Sequence, residues 1–508
     1  MELQLQPRQY QKNIVQTAID NNTLVVLPTG LGKTLIALLL SIDRLKKHPG
    51  SKIVFLAPTR PLVEQHLQSY KKQLPELFAD IQRFTGSVPS KERQKIFSTA
   101  EIIFSTPQCV ANDLKAGLYN LEEVSLLIID EAHRCLKNYD YTHVVETYKR
   151  QAPTRRILGL TASPGSDSDK VKEICNHLDI EEIELRTRDS PDVKQYLQER
   201  DYQSHIVPFP QEFIEIKVLL KRLFDYAVNE LKSKDMLFGP ANKITLLRLQ
   251  NQLALRAANK DFSAMHAMSH TAKAIKISHA LELLETQTVS GVLEYLKGLQ
   301  KQAQENKSRA VKSLVKERDF NAALISLNEL ITKKIEHPKI EEAAVIVENE
   351  YKDNKNAKII IFTQFRETAI KLTQRLNQIQ GINSAIFVGQ AKKLGSGLSQ
   401  KEQKIVIDQF KEGKINVLCA TSIGEEGLDI PEVSAVIFYE PIPSAVRKIQ
   451  RAGRTARLAP GKLIILITKD TRDETHHYAS SAREKKMYRI IEQVKKELKD
   501  KKKNPSIG

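Results

Sequence analysis

The fold is decided by residues 23–40, which read TLVVLPTGLGKTLIALLL. The first five residues form an apolar, β-branched run typical of a buried strand, and the apolar run after Thr34 is long enough for a buried helix. Between them, a turn containing Gly30 and Gly32 ends in Lys33-Thr34. Glycines let the backbone turn its N–H groups toward a phosphate, and the N-terminus of the next helix adds a favourable dipole. The stretch therefore predicts a phosphate-binding loop.

The side chains of this loop have predicted roles. Lys33 would reach the β- and γ-phosphates of a nucleotide, and the hydroxyl of Thr34 would hold Mg²⁺. Thr29, Gly30 and Gly32 would complete the phosphate cradle. The loop departs from the usual pattern at one position, since Leu27 stands where a glycine usually begins it. The alternative is a chance Gly-Lys-Thr in an ordinary strand–turn–helix, and the strand and helix signals on either side argue against it.

The amino-acid composition limits the classes of protein to which this chain can belong. The chain has 508 residues, which favours roughly three domains, and its hydrophobic fraction of 41% is typical of ordinary protein cores. Lys and Arg number 78 against 61 Asp and Glu, a net charge of +17. This excess predicts an anionic partner, with nucleic acid the first candidate and an acidic membrane surface the second.

Other features of the composition exclude several classes. No apolar run approaches the ~18 residues of a membrane span, and the N-terminal residues lack a signal-peptide pattern. We therefore expect no membrane association. The four cysteines lie far apart, without the spacing of a zinc site or of a disulfide framework. A reducing interior, in the cytoplasm, is the expected location.

Short apolar runs followed by polar residues recur in two parts of the chain. In the first part they end before Pro58, Ser105, Asp130 and Thr161. In the second part they cover residues 358–362, 385–388, 417–420, 436–438 and 463–467. This alternation with helical segments predicts two doubly wound parallel sheets, whose ligands lie beyond the carboxyl ends of the strands.

The part between the two sheets has few prolines or glycines and carries apolar residues at helical spacing. The predicted organisation is an α/β domain in residues 1–205, an all-α insertion in 206–336, a second α/β domain in 337–482, and a basic helix and tail in 483–508.

Asp130-Glu131 at the end of a predicted strand forms the second half of the nucleotide site. Asp130 would bind Mg²⁺, and Glu131 would polarise the water that attacks the γ-phosphate. Adjacent acids also occur in plain surface turns. Here they follow a phosphate loop by a few strand–helix units, which favours the catalytic interpretation.

The ordered set of motifs resembles that of superfamily 2 helicases of the DEAH-box type. It comprises residues 28–34, 130–133 (DEAH), 161–163 (TAS), 420–429 and 450–457 (QRAGRTAR). Residues 161–164, 189–193, 337–339 and 387–390, together with the helical insertion, resemble the helicase portion of archaeal Hef and its eukaryotic relative, the Fanconi anaemia group M translocase. The resemblance implies two RecA-like domains flanking the insertion, with ATP and Mg²⁺ in the cleft between them.

The same resemblance implies roles for individual residues. Gln11 would read the adenine edge, Asp429 would lie near the ribose, and Gln450 would position phosphate and water. Arg454 and Arg457 would reach the γ-phosphate from the second domain, Arg457 as an arginine finger. An ordinary surface charge is the alternative for Arg457. The residues that would couple hydrolysis to domain motion are His133, Thr161 and Ser163.

Candidate nucleic-acid contacts lie in loops that follow the strands. Hydroxyls and backbone N–H groups there suit phosphate contacts, which position a strand without reading its sequence. The candidates of the first domain are Pro58, Thr59, Arg60, Thr85, Gly86, Thr106 and Gln108; those of the second are Thr363, Gln364, Gly389, Gln390, Thr421 and Ser422. Each could equally be a turn or a helix cap.

The predicted function is an ATP-dependent helicase or translocase that unwinds or remodels forked and branched DNA in replication-fork repair. A Dicer-like ATPase stimulated by double-stranded RNA is one alternative, and a non-enzymatic architectural DNA-binding protein is another. The expected partners are DNA and replication or repair proteins, including a separate nuclease, because we find no nuclease cluster after the second α/β region. Association with the nucleoid would follow.

Overall fold

The computed structural model contains two parallel β-sheets flanked by helices, with a helical bundle between them in the chain. This confirms the predicted fold class. The residues it describes are 6–75, 77–136, 140–197, 200–259, 261–389, 397–421, 430–442, 444, 447, 451–452, 455 and 460–503. None of the helices within these ranges has the length and apolar content needed to cross a bilayer.

The first domain is built on a seven-stranded parallel sheet of order β3-β4-β2-β5-β6-β1-β7. Its strands are β1 (Thr23–Val26), β2 (Lys52–Leu56), β3 (Ile81–Arg83), β4 (Ile102–Ser105), β5 (Val124–Asp130), β6 (Ile157–Thr161) and β7 (Glu182–Leu185). All residues of β1, β2, β4, β5 and β6 are buried, because helices cover both faces of the sheet.

The helices of the first domain cover both faces of this sheet. They are α1 (Gln9–Asp20), α2 (Lys33–Lys47), α3 (Arg60–Gln73), α4 (Ser90–Thr99), α5 (Pro107–Lys115), α6 (Asp140–Gln151), α7 (Ser168–His177) and α8 (Pro191–Lys194). Three of them have proline in the first turn, where its missing N–H costs no helical hydrogen bond. The short loops after β2 and β4 therefore lead directly into helices.

The second domain contains a six-stranded parallel sheet of order β10-β11-β9-β12-β13-β8. Its strands are β8 (Arg200–Val207), β9 (Ile359–Phe362), β10 (Ser384–Phe387), β11 (Val417–Ala420), β12 (Ala435–Phe438) and β13 (Gly461–Thr468). Its described helices include α15 (Lys339–Asp353), α16 (Arg366–Leu376) and α17 (Gln400–Lys411).

Strand β8 corrects the predicted domain boundary. Residues 200–205, which the sequence assigns to the first domain, pair with β13 at the edge of the second sheet. The strand was missed because it has one neighbouring strand and keeps mostly polar residues, so it lacks the apolar run of a central strand. The chain therefore enters the second sheet before it forms the insertion.

The insertion is a bundle with its own hydrophobic core. Its helices are α9 (Ile214–Lys232), α10 (Lys243–Ala258), α11 (Phe262–Thr286), α12 (Val289–Gln304), α13 (Arg309–Leu314) and α14 (Arg318–Thr332). One apolar cluster joins α9, α11, α12 and α14, and a second joins α9 to α10 and the first half of α11.

The base of the insertion is joined to the second domain by buried polar contacts. The carboxamide of Gln287 donates to the Glu440 carboxylate at 3.2 Å and accepts from the Thr368 hydroxyl at 2.7 Å. His337 approaches the carbonyl oxygen of Glu285 through Nε2, at 3.2 Å. These contacts join the insertion to the second domain.

That last helix, here named the C-terminal helix (Arg472–Lys503), begins eleven residues before the predicted start of the basic segment, within the range assigned to the second domain. At its start, Asp473 forms a fully buried ion pair with Lys339 of the second domain. Arg472 donates to the carbonyl oxygen of Ser278 in the insertion, at 2.7 Å.

The later part of the C-terminal helix packs on the first domain. The apolar side chains Met487, Ile490, Ile491 and Val494 recur at helical spacing and belong to the buried core of that domain. Their burial contributes about 1.5–3 kcal/mol each. One continuous helix therefore contacts the insertion and both α/β domains.

Candidate nucleotide site and nucleic-acid face

The predicted phosphate loop connects β1 to α2. Gly30 and Gly32 have φ angles of 84° and 77°, in the left-handed region that favours glycine. A Cβ at Gly32 would lie 2.4 Å from Nε2 of Gln11, so another residue would displace that side chain. The ammonium of Lys33 donates to the carbonyl oxygen of Leu27 at 2.9 Å. The Lys33 side chain therefore crosses the loop and bonds back to its first residues.

Gln11, the predicted adenine-reading residue, lies against this loop. Its Nε2 donates to the carbonyl oxygen of Leu31 at 3.1 Å, and its Oε1 accepts from the backbone N–H of Arg8 at 2.8 Å. The hydroxyl of Tyr10 also donates to the Leu31 carbonyl, at 2.8 Å. A carboxamide has two donor hydrogens and two acceptor sites, so one of each is left for a base.

The two predicted metal-binding side chains are joined by a residue that the sequence did not reveal. Nδ1 of His66 lies 3.2 Å from Oγ1 of Thr34, and its Nε2 lies 2.9 Å from Oδ2 of Asp130. His66 is 7% exposed and stacks on Phe55, with ring centroids 4.5 Å apart. The sequence shows only a single histidine at this position, which is weak evidence of function.

Asp130 ends β5 in a buried position. Burial raises the pKa of its carboxyl, but the contact with His66, the charge of Lys33 and the Glu131 backbone hydrogen bond outweigh burial, and the net pKa is lowered. Its carbonyl oxygen accepts from the hydroxyl of Tyr141 at 2.8 Å. A carboxylate that is ionised and fixed in this way suits a divalent cation.

Glu131 adopts a left-handed conformation, with φ 50° and ψ 49°. This conformation is unusual for a residue with a side chain, and such strain concentrates at functional sites. Its Oε2 lies 3.2 Å from Nδ1 of His133, a nitrogen that also lies 3.2 Å from Oγ1 of Thr161. The turn after β5 is thus connected to the end of β6.

Thr161 and Ser163 continue this connection toward the C-terminal helix. The backbone N–H of Ser163 donates to Oγ1 of Thr161 at 3.1 Å, and the Ser163 hydroxyl lies 2.8 Å from the sulfur of Met487. Within the described structure, the Thr-Ala-Ser turn therefore contacts the C-terminal helix. The predicted coupling residues His133, Thr161 and Ser163 lie together, and sequence reasoning missed their neighbour Met487.

The residues present fit a nucleoside triphosphate with Mg²⁺. One buried oxygen at the site, Oγ1 of Thr29, has no hydrogen-bond partner among the described residues. The two glycines leave the loop backbone open to a phosphate, and the Thr34 hydroxyl and Asp130 carboxylate supply the hard oxygen ligands that Mg²⁺ prefers. Lys33 would hold the phosphates, while Thr34 and Asp130 would hold the cation.

Several predicted site residues lie outside the described residues. They are Gln390, Ser422, Asp429, Gln450, Arg454 and Arg457. The roles assigned to them stay predictions.

The predicted nucleic-acid residues of the first domain meet at one edge. The guanidinium of Arg60 lies 3.7 Å from the position that a Cβ of Gly86 would occupy. Arg60, Gly86, Gln108 and Gln364 are exposed, whereas Pro58, Thr59, Thr106, Gly389 and Thr421 are partly exposed. Thr85 is 5% exposed and its hydroxyl pairs with Ser87, so its side chain has little surface to offer.

A groove of about 610 Å³ separates α3 of the first domain from α17 of the second. Five basic side chains and two acidic ones line it, together with polar and apolar residues. The basic ones are Arg60, Lys72, Arg83, Lys404 and Lys411, and the acidic ones are Glu64 and Asp408. The excess of positive charge beside Arg60 suits a nucleic-acid backbone.

Thr363 is corrected by the structure. Its side chain is fully buried, and its hydroxyl donates to the Glu440 carboxylate at 3.3 Å. It therefore cannot present that hydroxyl to a nucleic acid. The residue follows β9 directly, as predicted, but the base of the insertion covers this strand end.

The arrangement of domains matches a solved structure. The structure resembles the crystal structure of the Pyrococcus furiosus Hef helicase domain, with a TM-score of 0.71. The two sequences are 41% identical, and the match covers 93% of this chain and 98% of that one. The chain belongs to the Hef-like DEAD/DEAH box helicases. This confirms the resemblance drawn from the motifs.

Family profiles match each part of this helicase-family chain. The DEAD/DEAH box helicase family matches residues 8–171, the helicase conserved C-terminal domain matches 339–459, and a family described as "putative ATP-dependent RNA helicase, helical bundle" matches 212–335.

Longer relatives match as well. A putative ATP-dependent RNA helicase of Methanocaldococcus jannaschii is 39% identical over 96% of this chain and 61% of its own length. The ATP-dependent DNA helicase fml1 of Schizosaccharomyces pombe is 32% identical over 94% of this chain and 58% of its own. The chain thus spans about 60% of the length of these two relatives.

Proposed function

We propose that this chain is an ATP-dependent helicase or translocase that remodels forked and branched DNA in replication-fork repair. The observation that carries the proposal is that Lys33 of the phosphate loop lies near enough to Asp130 for its charge to lower the pKa of that carboxyl, while the neighbouring Glu131 is linked through His133 to Thr161. The name of the Schizosaccharomyces pombe relative, an ATP-dependent DNA helicase, supports DNA as the substrate. A nucleoid location and repair partners, including a separate nuclease, belong to the same proposal.

ATP with Mg²⁺ would supply the leaving group and the charge neutralisation of phosphoryl transfer. Lys33 would bind the phosphates, and Thr34 and Asp130 would hold the cation. Glu131 would accept a proton from the attacking water. Arg457 of the second domain, with Gln450 and Arg454, completes the site when the domains close.

The test is ATP hydrolysis by the full chain with forked DNA, linear duplex DNA, single-stranded DNA or double-stranded RNA, with Lys33→Ala as the inactive control. We expect the greatest stimulation by forked DNA. Absence of ATPase activity with every nucleic acid would contradict the proposal and favour an architectural DNA-binding protein.

A second candidate, an ATPase stimulated by double-stranded RNA, rests on the RNA helicase names of the Methanocaldococcus relative and of the helical-bundle family. Stimulation by double-stranded RNA above that by any DNA would establish it.

We propose that the insertion is the reader of fork geometry, that is, the part of the protein that distinguishes forked DNA from a straight duplex. Arg248 on α10 is exposed, whereas Lys243 and Arg256 approach Glu282 at 3.4 Å and Asp261 at 2.8 Å. The test replaces Lys243, Arg248, Arg256 and Lys260 by Gln. The matched control removes the same charge elsewhere in the insertion. It replaces Lys301, Lys316, Lys333 and Lys334, also by Gln.

We expect the first quadruple variant to lose fork-stimulated unwinding while its ATPase activity on plain duplex changes little. Phosphate contacts also release counterions, so the slope of log affinity against log salt should be about −0.9 per duplex phosphate neutralised and less steep in this variant. Equal fork preference in both quadruple variants would show that this basic group is not the reader.

A further inference from the structure

His66 occupies a position between the two proposed metal ligands that the activity described so far does not use. Its two ring nitrogens contact Oγ1 of Thr34 at 3.2 Å and Oδ2 of Asp130 at 2.9 Å. Thr34 lies in the first turn of α2, His66 lies on α3 and Asp130 ends β5, so three separate elements meet through one imidazole ring.

The ring has little freedom to leave this position. It is 7% exposed, and the aromatic ring of Phe55 lies against it with an interplanar angle of 36°. Phe55 is itself fully buried and stacks on Phe104 at 5.1 Å. The packing therefore fixes the direction in which each ring nitrogen points.

The chemistry of the two oxygens assigns the hydrogens. An ionised carboxylate only accepts hydrogen bonds, so the nitrogen facing Asp130, Nε2, must carry a hydrogen. A neutral imidazole then has a bare Nδ1, which accepts, and the hydroxyl of Thr34 donates to it. In this tautomer the hydrogen of that hydroxyl points at His66, and the oxygen lone pairs are left for a cation.

We infer that His66 is a positioning residue for the magnesium ligands: by accepting the Thr34 hydroxyl hydrogen and donating to Asp130, it directs the oxygens of both toward one cation. This inference rests on the proposed nucleotide site. It follows the general rule that a second layer of hydrogen bonds orients metal ligands, and that its loss costs about 10–100-fold in metal affinity.

The first test reads the tautomer without any substitution. Long-range proton–nitrogen NMR spectra of the full chain, deuterated and ¹⁵N-labelled at histidine, should show a His66 ring protonated at Nε2 and bare at Nδ1. The signal is assigned by its loss in His66→Gln. A hydrogen on Nδ1, alone or together with one on Nε2, overturns the inference.

The second test separates a metal-specific role from a structural one. Fluorescent ADP is titrated into wild type, His66→Phe and His66→Gln, with excess magnesium chloride or with EDTA. Phe keeps the ring against Phe55 but removes both nitrogens, whereas the Gln carboxamide can restore one donor and one acceptor.

We expect His66→Phe to bind ADP in EDTA as wild type does and to lose about 10-fold or more of the tightening that Mg²⁺ gives. His66→Gln should recover part of that tightening. An unchanged Mg²⁺ effect in His66→Phe, or an equal loss with and without Mg²⁺, overturns the inference while the proposed function stands. Failure of wild type to bind ADP in either condition would overturn both.

Discussion

The carboxyl edges of the two parallel sheets have the same place in the fold but different uses. In the first sheet, Asp130 at the end of β5 is joined through His66 to Thr34 beside the phosphate loop, and His133 after β5 contacts Thr161 at the end of β6. In the second sheet, Thr363 after β9 and Glu440 beyond β12 bond to each other, and Glu440 also bonds to Gln287 of the insertion. The comparison teaches that one position in a repeated architecture supports chemistry in one domain and attachment in the other.

Substitutions at the two edges should therefore differ in kind. Changes at the first edge should alter ATP turnover with little effect on stability, and changes at the second should alter stability first. Four predictions test this difference, from the largest expected effect to the smallest.

Glu131→Gln should lower ATP turnover by about 10²–10⁴-fold while ADP binding is kept, because it removes the proposed base and leaves the phosphate cradle intact. Steady-state ATPase assays and ADP titration measure the two quantities. Glu173→Gln on α7 supplies the control. Near-normal turnover in Glu131→Gln would mean that the first edge does not support chemistry through this residue.

Asp473→Asn should destabilise the protein by about 3–5 kcal/mol, because it removes the ion-pair partner of the buried Lys339 ammonium. Both side chains are fully buried, and Asp473 also accepts from the backbone N–H of Thr468 at 3.0 Å. Urea unfolding measures the effect.

The matched control is Glu341→Gln, which breaks an ion pair with Arg375 whose partners are 61% and 32% exposed. It should cost less than about 1 kcal/mol. Equal costs for the two substitutions would show that burial of the Lys339–Asp473 pair is not what makes it important.

Gln287→Ala should destabilise the junction between the insertion and the second domain by about 1–3 kcal/mol, since it leaves Glu440 and Thr368 with unsatisfied polar groups. Urea unfolding and limited proteolysis at the base of α12 would report the loss. Gln252→Ala, at an exposed position of α10, is the control. ATPase activity without nucleic acid should not change. A large loss of it would contradict the view that the second edge serves attachment and not chemistry.

The smallest effect concerns pH. Burial, and secondarily the charge of Lys339, lower the pKa of His337 from 6.5 to about 3, although its hydrogen bond to the Glu285 carbonyl acts in the opposite direction. A histidine with a depressed folded pKa stabilises the protein above the unfolded pKa, and this stability is lost as pH falls below about 6.5 toward 3. Between pH 7.5 and 5.5, wild type should lose about 1.4 kcal/mol more than His337→Gln.

Unfolding midpoints in urea at the two pH values measure this difference, with a substitution of the exposed His266 as the control. A variant with the same pH dependence as wild type would show that His337 takes up a proton in the folded state.

The sequence predicted the strands well where both faces of the sheet are covered. The observed bounds of β2, β9 and β11 differ from the predicted ones by one residue at most, because buried parallel strands are continuous apolar runs. The phosphate loop was predictable for the same reason, since its function depends on residues that are adjacent in the chain.

Sequence reasoning failed where the deciding contact joins distant residues. His66 contacts partners 32 and 64 residues away, and Gln287 contacts Glu440 across 153 residues. A polar residue on a helix gives no local sign of such a partner. Strand β8 and the apolar face of the C-terminal helix were missed because polar and basic residues surround them.

The C-terminal helix has a consequence for how the protein is made. The first domain leaves the ribosome before the second, yet its core includes Met487, Ile490, Ile491 and Val494, which are translated only after the insertion and the second domain. Strand β8 likewise waits for β13, which is translated after the insertion and most of the second domain. Domains usually fold as units during synthesis, N-terminal first. Here the nascent first domain leaves part of its apolar surface uncovered until the second domain has been translated.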